Sequence, residues 1–190
     1  MNIACFGDSN TYGFDPRSYF GGRYPAEERW VDILAGKTGW SIRNMGQNGL
    51  AIPCAEYEAK LYDKILSNVT HDLLIIMLGS NDLLQGLSTD SVAARMMKFL
   101  AQLSIPPEKL LLVSPPQFKP GLWIEDEKII EYSSGLATKY KIIAEKLSIA
   151  FVDSNVWNID LAYDGVHFSP QGHKTFAKGI YNYLTKEKEF

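Results

Sequence analysis

Residues 72–78 read DLLIIML and run directly into Gly79-Ser80-Asn81-Asp82. Six apolar residues in a row leave no alternation of polar and apolar positions. Such a run is expected to be a strand covered on both faces, as in the middle of a parallel sheet. Lys109–Val113 (KLLLV) repeats the pattern and stops before Pro115-Pro116, which cannot continue a ladder. Upstream, Ile3–Phe6 reads as a strand and Trp40–Met45 as a weaker one, and Ile149–Val152 supplies the fifth. The stretches between them carry helical periodicity. Arg29–Lys37 puts Trp30, Ile33 and Leu34 on one face, and Ala55–Leu66 spaces Tyr57, Leu61, Ile65 and Leu66 in the same way. A helix through Leu103 has cap chemistry at Thr89 and Asp90. Glu125–Leu147 is helical, with Gly135 as its weak point, and Pro170–Leu184 follows a Ser169 cap. Strands alternating with helices predict an α/β fold, a three-layer doubly wound (flavodoxin-like) domain. Its five-stranded sheet is expected to be mostly parallel, with helices on both faces. No linker or repeat interrupts the chain, so residues 1–190 form a single domain of ample size for a core.

Composition narrows the partners. A net charge of −3 with no lysine or arginine cluster argues against nucleic acid or an anionic membrane. No apolar stretch approaches the ~20 residues needed to span a bilayer. The strand at Ile3 leaves no room for a leader peptide, so the expected location is cytoplasmic. The two cysteines, Cys5 and Cys54, form no spacing motif, and Cys5 reads as a small buried hydrophobe.

In doubly wound sheets, ligands bind beyond the carboxyl ends of the strands. Those ends carry Gly7-Asp8-Ser9-Asn10, then Asn44-Met45-Gly46-Gln47-Asn48-Gly49, Gly79-Ser80-Asn81-Asp82 and Ser114-Pro115-Pro116. After the fifth strand and a loop comes Asp164-Gly165-Val166-His167. Ser9 could be a cap, a phosphate contact or a nucleophile. As a nucleophile it needs a base, because a free hydroxyl hardly ionises near neutrality. Of three histidines, His71 precedes the third strand at the far edge and is expected on the surface. His173 lies within the last helix in a packing or solvated role. His167 alone sits at the right edge. Asp164, three residues earlier, is placed to hold its Nδ1 proton and leave Nε2 for Ser9. A tetrahedral intermediate also needs donors for its oxyanion, and the Ser9 N–H, the Gly49 N–H and the Asn81 side chain are the candidates. Two other classes compete. A flavin- or nucleotide-binding turn at 7–11 would want several N–H donors and no acid, yet Asp8 is there and no G-x-G-x-x-G or Walker lysine follows. A metal-dependent hydrolase using Asp160, Asp164 and His167 lacks ligand spacing of a familiar kind, so no metal and no cofactor are expected.

GDSN at 7–10, NMGQNG at 44–49, GSND at 79–82 and DGVH at 164–167 together resemble the SGNH-hydrolase superfamily, the GDSL-type esterases and lipases. The resemblance spans nearly the whole chain. It implies Ser9 as nucleophile, His167 as base, Asp164 as its orienter, and Ser9, Gly49 and Asn81 as the oxyanion hole. CFGDSNTYGF, RYPAEERWVDIL, LLLVSPP and DGVHFS are similar to the arylesterase and acyltransferase branch, which implies short acyl esters and transfer to water or an alcohol. Asn10 stands where the commonest motif has leucine, and Ala51 where a threonine is frequent. The chain has no G-x-S-x-G elbow.

The connection from Thr11 to about Pro25 is long for a βα loop and carries Tyr12, Phe14, Tyr19, Phe20 and Tyr24. With Trp123 from another strand-end loop, such rings suit a small uncharged ester or a sugar acetate. Asp8, Asn10, Tyr12, Phe14 and Trp123 are therefore the expected substrate contacts. The other role open to these rings is an interface between copies of the chain, a homo-oligomer.

Overall fold

The computed structural model describes residues 1–18 and 20–186. Its sheet holds β1 (Asn2–Gly7), β2 (Ser41–Gly46), β3 (Leu73–Met77), β4 (Leu110–Ser114) and β5 (Ala150–Asp153) in the order β2-β1-β3-β4-β5. Every pairing is parallel, so the sheet is wholly rather than mostly parallel. Gly7 pairs with Gly46 on one side and Met77 on the other, which brings the ends of the first three strands level. The strand order reverses beside β1, so the crevice where ligands are expected opens above Gly7.

Strand periodicity divides the core. Ala4, Phe6, Leu74, Ile76, Leu110 and Leu112 face α5 (Thr89–Leu100) and α6 (Glu127–Leu147), meeting Val92, Met96, Phe99, Leu136 and Tyr140. Ile3, Cys5, Ile75, Met77, Leu111 and Val113 point the other way. They pack on Trp30, Val31 and Leu34 of α2 (Trp30–Thr38) and on Phe176, Ala177 and Ile180 of α7 (Pro170–Thr185). Each fully buried Val, Leu, Ile, Phe or Met side chain among them contributes roughly 1.5–3 kcal/mol. No helix among the described residues is long and apolar enough to cross a membrane.

Several local expectations change. Ser88, not Thr89 or Asp90, caps α5, because its Oγ accepts the Ser91 N–H at 3.3 Å. The helix ends at Leu100 rather than Leu103. Gly135 does not break α6, and its missing Cβ leaves room for the Thr89 side chain, which would lie 3.3 Å from it. On α3 (Glu56–Ser67) the stripe Tyr57, Leu61 and Ile65 faces solvent, while Ala59, Leu66 and Tyr62 face the core. His71 is buried, not a surface residue, with Nδ1 donating to the Val69 carbonyl at 2.6 Å. Cys5 and Cys54 are both free thiols.

Candidate active site

The chain leaves β1 through Asp8 into a single helical turn, α1 (Ser9–Tyr12). Asp8 caps that turn, with Oδ1 accepting the Asn10 N–H at 2.9 Å. Its carbonyl receives the Thr11 and Tyr12 amides at 3.1 and 2.9 Å, and Gly13 closes the turn in the left-handed region. Ser9 is thus held at the start of a rigid element, with 8% of its surface open to solvent.

The partner segment lies between β5 and α7. Asp164 folds back on its own chain, Oδ1 accepting the amides of Val166 and His167 at 2.9 Å each. Gly165 allows this turn: its φ is 80° and a Cβ there would lie 2.1 Å from the Lys119 carbonyl oxygen. The other carboxylate oxygen, Oδ2, stands 2.7 Å from His167 Nδ1, and His167 Nε2 stands 3.0 Å from Ser9 Oγ. A carboxylate beside Nδ1 fixes the proton there and presents Nε2 to the hydroxyl as an acceptor. Burial pushes the Asp164 carboxyl up, but the His167 ring and the two amides outweigh it and hold the acid below its ordinary value. The carboxylate therefore stays ionised beside the imidazole.

Two neighbouring loops support this segment. The connection after β4 donates Lys119 N–H to Gly165, Leu122 N–H to Tyr163 and Trp123 N–H to Asp164, all at 3.0–3.1 Å. Phe14 and Trp123 set their rings against the His167 ring at centroid distances of 4.7 and 4.9 Å. Trp123 remains half exposed. Tyr12 lies beneath the Arg23 guanidinium, 4.3 Å from its ring centre, and Arg23 Nε donates to the Tyr12 carbonyl. Tyr24 is buried against His173, whereas Phe20 is almost wholly exposed. Tyr19 lies outside the described residues.

Gly49 occupies an exposed turn, with φ 74° and the Leu50 N–H returning to the Gln47 carbonyl. Asn81, in α4 (Ser80–Leu84), donates Nδ2 to the Leu50 carbonyl at 3.0 Å and so ties that turn to the end of β3. A carboxamide nitrogen has two hydrogens, and the second remains available. The adjacent Asp82 takes the Ile52 N–H on Oδ2 and Arg95 on Oδ1, at 2.9 and 2.8 Å. Gly46 lets α1 lie on the end of β2, since a Cβ there would sit 2.2 Å from the Tyr12 nitrogen.

Two expected substrate contacts turn inward instead. Asn10 is 3% exposed, and its carboxamide bonds to the backbone at Val166 and Phe168. Asp8 is 1% exposed. Burial pushes its carboxyl up to about 6, against the Asn10 amide, the His167 ring and the Ser80 hydroxyl. That hydroxyl faces the acid without closing a hydrogen bond of normal geometry. Asp160 stands apart from Asp164 and His167 and accepts the Ser169 hydroxyl at the start of α7. No group of three or more metal-ligating side chains occurs among the described residues. Sequence reasoning did not identify the Asp82–Arg95 pair or the bracing role of the 119–123 backbone. Neither has a motif, because one depends on tertiary position and the other on main-chain amides.

A family model for GDSL-like lipases and acylhydrolases matches residues 5–175. No curated protein matches the sequence significantly. Among solved structures, Est24, a carbohydrate acetylesterase from Sinorhizobium meliloti, is similar with a TM-score of 0.82 and 25% identity. The match covers 97% of this chain and 98% of that one. The inhibitor-bound form of the M. smegmatis aryl esterase gives 0.83 at 22% identity, over 97% and 98% of the two chains. A member of the lipolytic G-D-S-L family from Veillonella parvula gives 0.74 at 20%, over 98% and 100%. With the family model spanning most of its length on this fold, the chain belongs to the GDSL-like lipase/acylhydrolase family of the SGNH superfamily and is a carboxylic ester hydrolase.

Proposed function

We propose that the protein is a serine esterase that removes short acyl groups from small uncharged esters through a Ser9 acyl-enzyme. The observation that carries this reading is the relay Asp164 Oδ2–His167 Nδ1 at 2.7 Å and His167 Nε2–Ser9 Oγ at 3.0 Å. Ser9 Oγ attacks the ester carbonyl while His167 Nε2 takes its proton. The carbonyl oxygen becomes an oxyanion held by the Ser9 and Gly49 amides and the Asn81 carboxamide. The imidazolium, steadied by Asp164, returns the proton to the departing alkoxide. Water, or an alcohol, then attacks the acyl-enzyme as His167 accepts its proton, and the tetrahedral intermediate expels Ser9 Oγ, which is reprotonated by His167.

Phe14 and Trp123 beside His167 favour a compact, uncharged leaving group over a phosphorylated one. A carbohydrate O-acetylesterase of the same mechanism is the second reading. It is supported by a half-exposed tryptophan at the site mouth and by the likeness to Est24, itself a carbohydrate acetylesterase. A flavin- or nucleotide-binding role fits poorly, because the Asp8 carboxyl already takes the Asn10 N–H of the turn that would have to cradle phosphate oxygens. The test is hydrolysis of a panel of acyl esters, including p-nitrophenyl acetate and acetylated sugars, by the native protein and Ser9→Ala. Activity on short esters that disappears in the variant is the expected result. Hydrolysis that persists in Ser9→Ala refutes the mechanism, and preference for sugar acetates selects the second reading.

A further inference from the structure

Asn10 lies one residue past the nucleophile, yet its side chain is buried and reaches the other half of the relay. Nδ2 donates to the Val166 carbonyl at 3.2 Å, and Oδ1 accepts the Phe168 N–H at 2.8 Å. These are the two residues that flank His167. One carboxamide thus grips the chain on both sides of the imidazole-bearing residue.

The rest of Asn10 is equally fixed. Its N–H is held by Asp8 Oδ1 at 2.9 Å and its carbonyl by the Trp30 indole N–H at 3.1 Å. The anchor therefore belongs to the β1–α1 corner that carries Ser9, while the grip belongs to the segment that carries His167. Ser9 Oγ and His167 Nε2 come from positions 158 residues apart. Their separation is set wherever those two segments are locked together. The Asp164–His167 contact is different, because both residues lie in one turn held by the Val166 and His167 amides. That turn can keep its own geometry without Asn10.

We propose that Asn10 is a positioning residue that sets the Ser9–His167 distance, acting through the backbone on either side of His167 and not through contact with substrate. This rests on the reading of Ser9 and His167 as nucleophile and base. An apolar replacement would leave the buried Val166 carbonyl and Phe168 amide without this partner, and the segment would settle away from α1. Misplacing reacting groups by about 1 Å can cost on the order of 10²-fold in rate.

The experiment compares the native protein with Asn10→Leu and Asn10→Ala, the second keeping space if leucine overfills the site. The bonds to the Asn10 backbone survive both changes, which favours folded variants. Functional Ser9 is counted with a fluorophosphonate, kcat and KM are measured on p-nitrophenyl acetate, and the low-field His167 Nδ1–H signal is followed by NMR. The expected result is a kcat per titrated site lower by about 10²-fold, with KM within about threefold and the low-field signal retained. A kcat per site within about threefold of native overturns the proposal, as does a raised KM with unchanged kcat, which marks a substrate contact. Loss of the low-field signal in both variants also overturns it, because the whole turn would then have collapsed. A native protein inactive on every ester overturns the underlying reading and this proposal with it, and is seen before any variant is made.

Discussion

Replacing His173 by asparagine is expected to flatten the loss of stability between pH 7 and pH 5. His173 is fully buried in α7, enclosed by the rings of Tyr24 and Phe168 at centroid distances of 5.5 and 5.2 Å. Its Nδ1 accepts the Trp30 N–H at the start of α2, so the ring proton sits on Nε2, which has no hydrogen-bond partner. Burial, with smaller contributions from His167 and Arg29, pushes its pKa from 6.5 down to about 3. The folded state therefore binds this proton far less readily than the unfolded chain. Stability is fully present above pH 6.5 and is lost as pH falls through that value towards 3. Linkage across those two pKa values gives a loss of about 2 kcal/mol between pH 7 and pH 5. Asparagine keeps an acceptor for the Trp30 amide but cannot titrate. Its loss of ring packing is the same at both pH values and cancels in the difference. Urea unfolding at pH 7 and pH 5 measures the effect, the native protein losing about 2 kcal/mol more than His173→Asn. If both proteins lose the same amount within about 0.5 kcal/mol, His173 is not the buried neutral group described.

Two further substitutions probe the site. Asn81→Ala is expected to lower turnover by about 10²–10³, the usual loss for one oxyanion donor. Loss of its bond to Leu50 should cost only about 1 kcal/mol of stability, so steady-state kinetics and thermal melts separate the two effects. Asp8→Asn tests a charge buried beside Ser9. An acid raised to about 6 from 3.8 weakens the fold progressively as pH rises through that interval. Asparagine, which can still cap Asn10, should stabilise the protein by about 3 kcal/mol above pH 6 and by almost nothing below pH 4. Equal stability of the two proteins at pH 7.5 would contradict this account.

The strands were legible because Ile3–Phe6, Leu73–Leu78 and Leu110–Val113 are unbroken apolar runs, and buried parallel strands demand them. The residues brought to one edge were legible for a chemical reason. A serine nucleophile needs a base, and only one of three histidines followed a strand on that edge. Side-chain direction was not legible. Asn10 reads as a polar residue beside a nucleophile, and only the tertiary position of residues 166–168 turns it inward. Tyr57, Leu61 and Ile65 have helical spacing, but the face a helix buries depends on how it lies against the sheet. His71, just before a strand, reads as a surface residue, but it is buried and bonds locally to Val69, which has no signature in sequence.

The three main-chain bonds from Lys119, Leu122 and Trp123 to residues 163–165 have a practical meaning for anyone redesigning the enzyme. That loop is part of the chassis: an insertion within 119–123, or proline at 119, 122 or 123, would remove bonds to the turn that carries the imidazole. The excursion between Phe14 and Arg23 closes on itself through the Asp15–Gly22 and Tyr24–Gly13 backbone bonds and holds Phe20 out in solvent. Phe20 takes no part in the bonds from Lys119, Leu122 and Trp123, so a change of its side chain leaves the turn that carries the imidazole as it is.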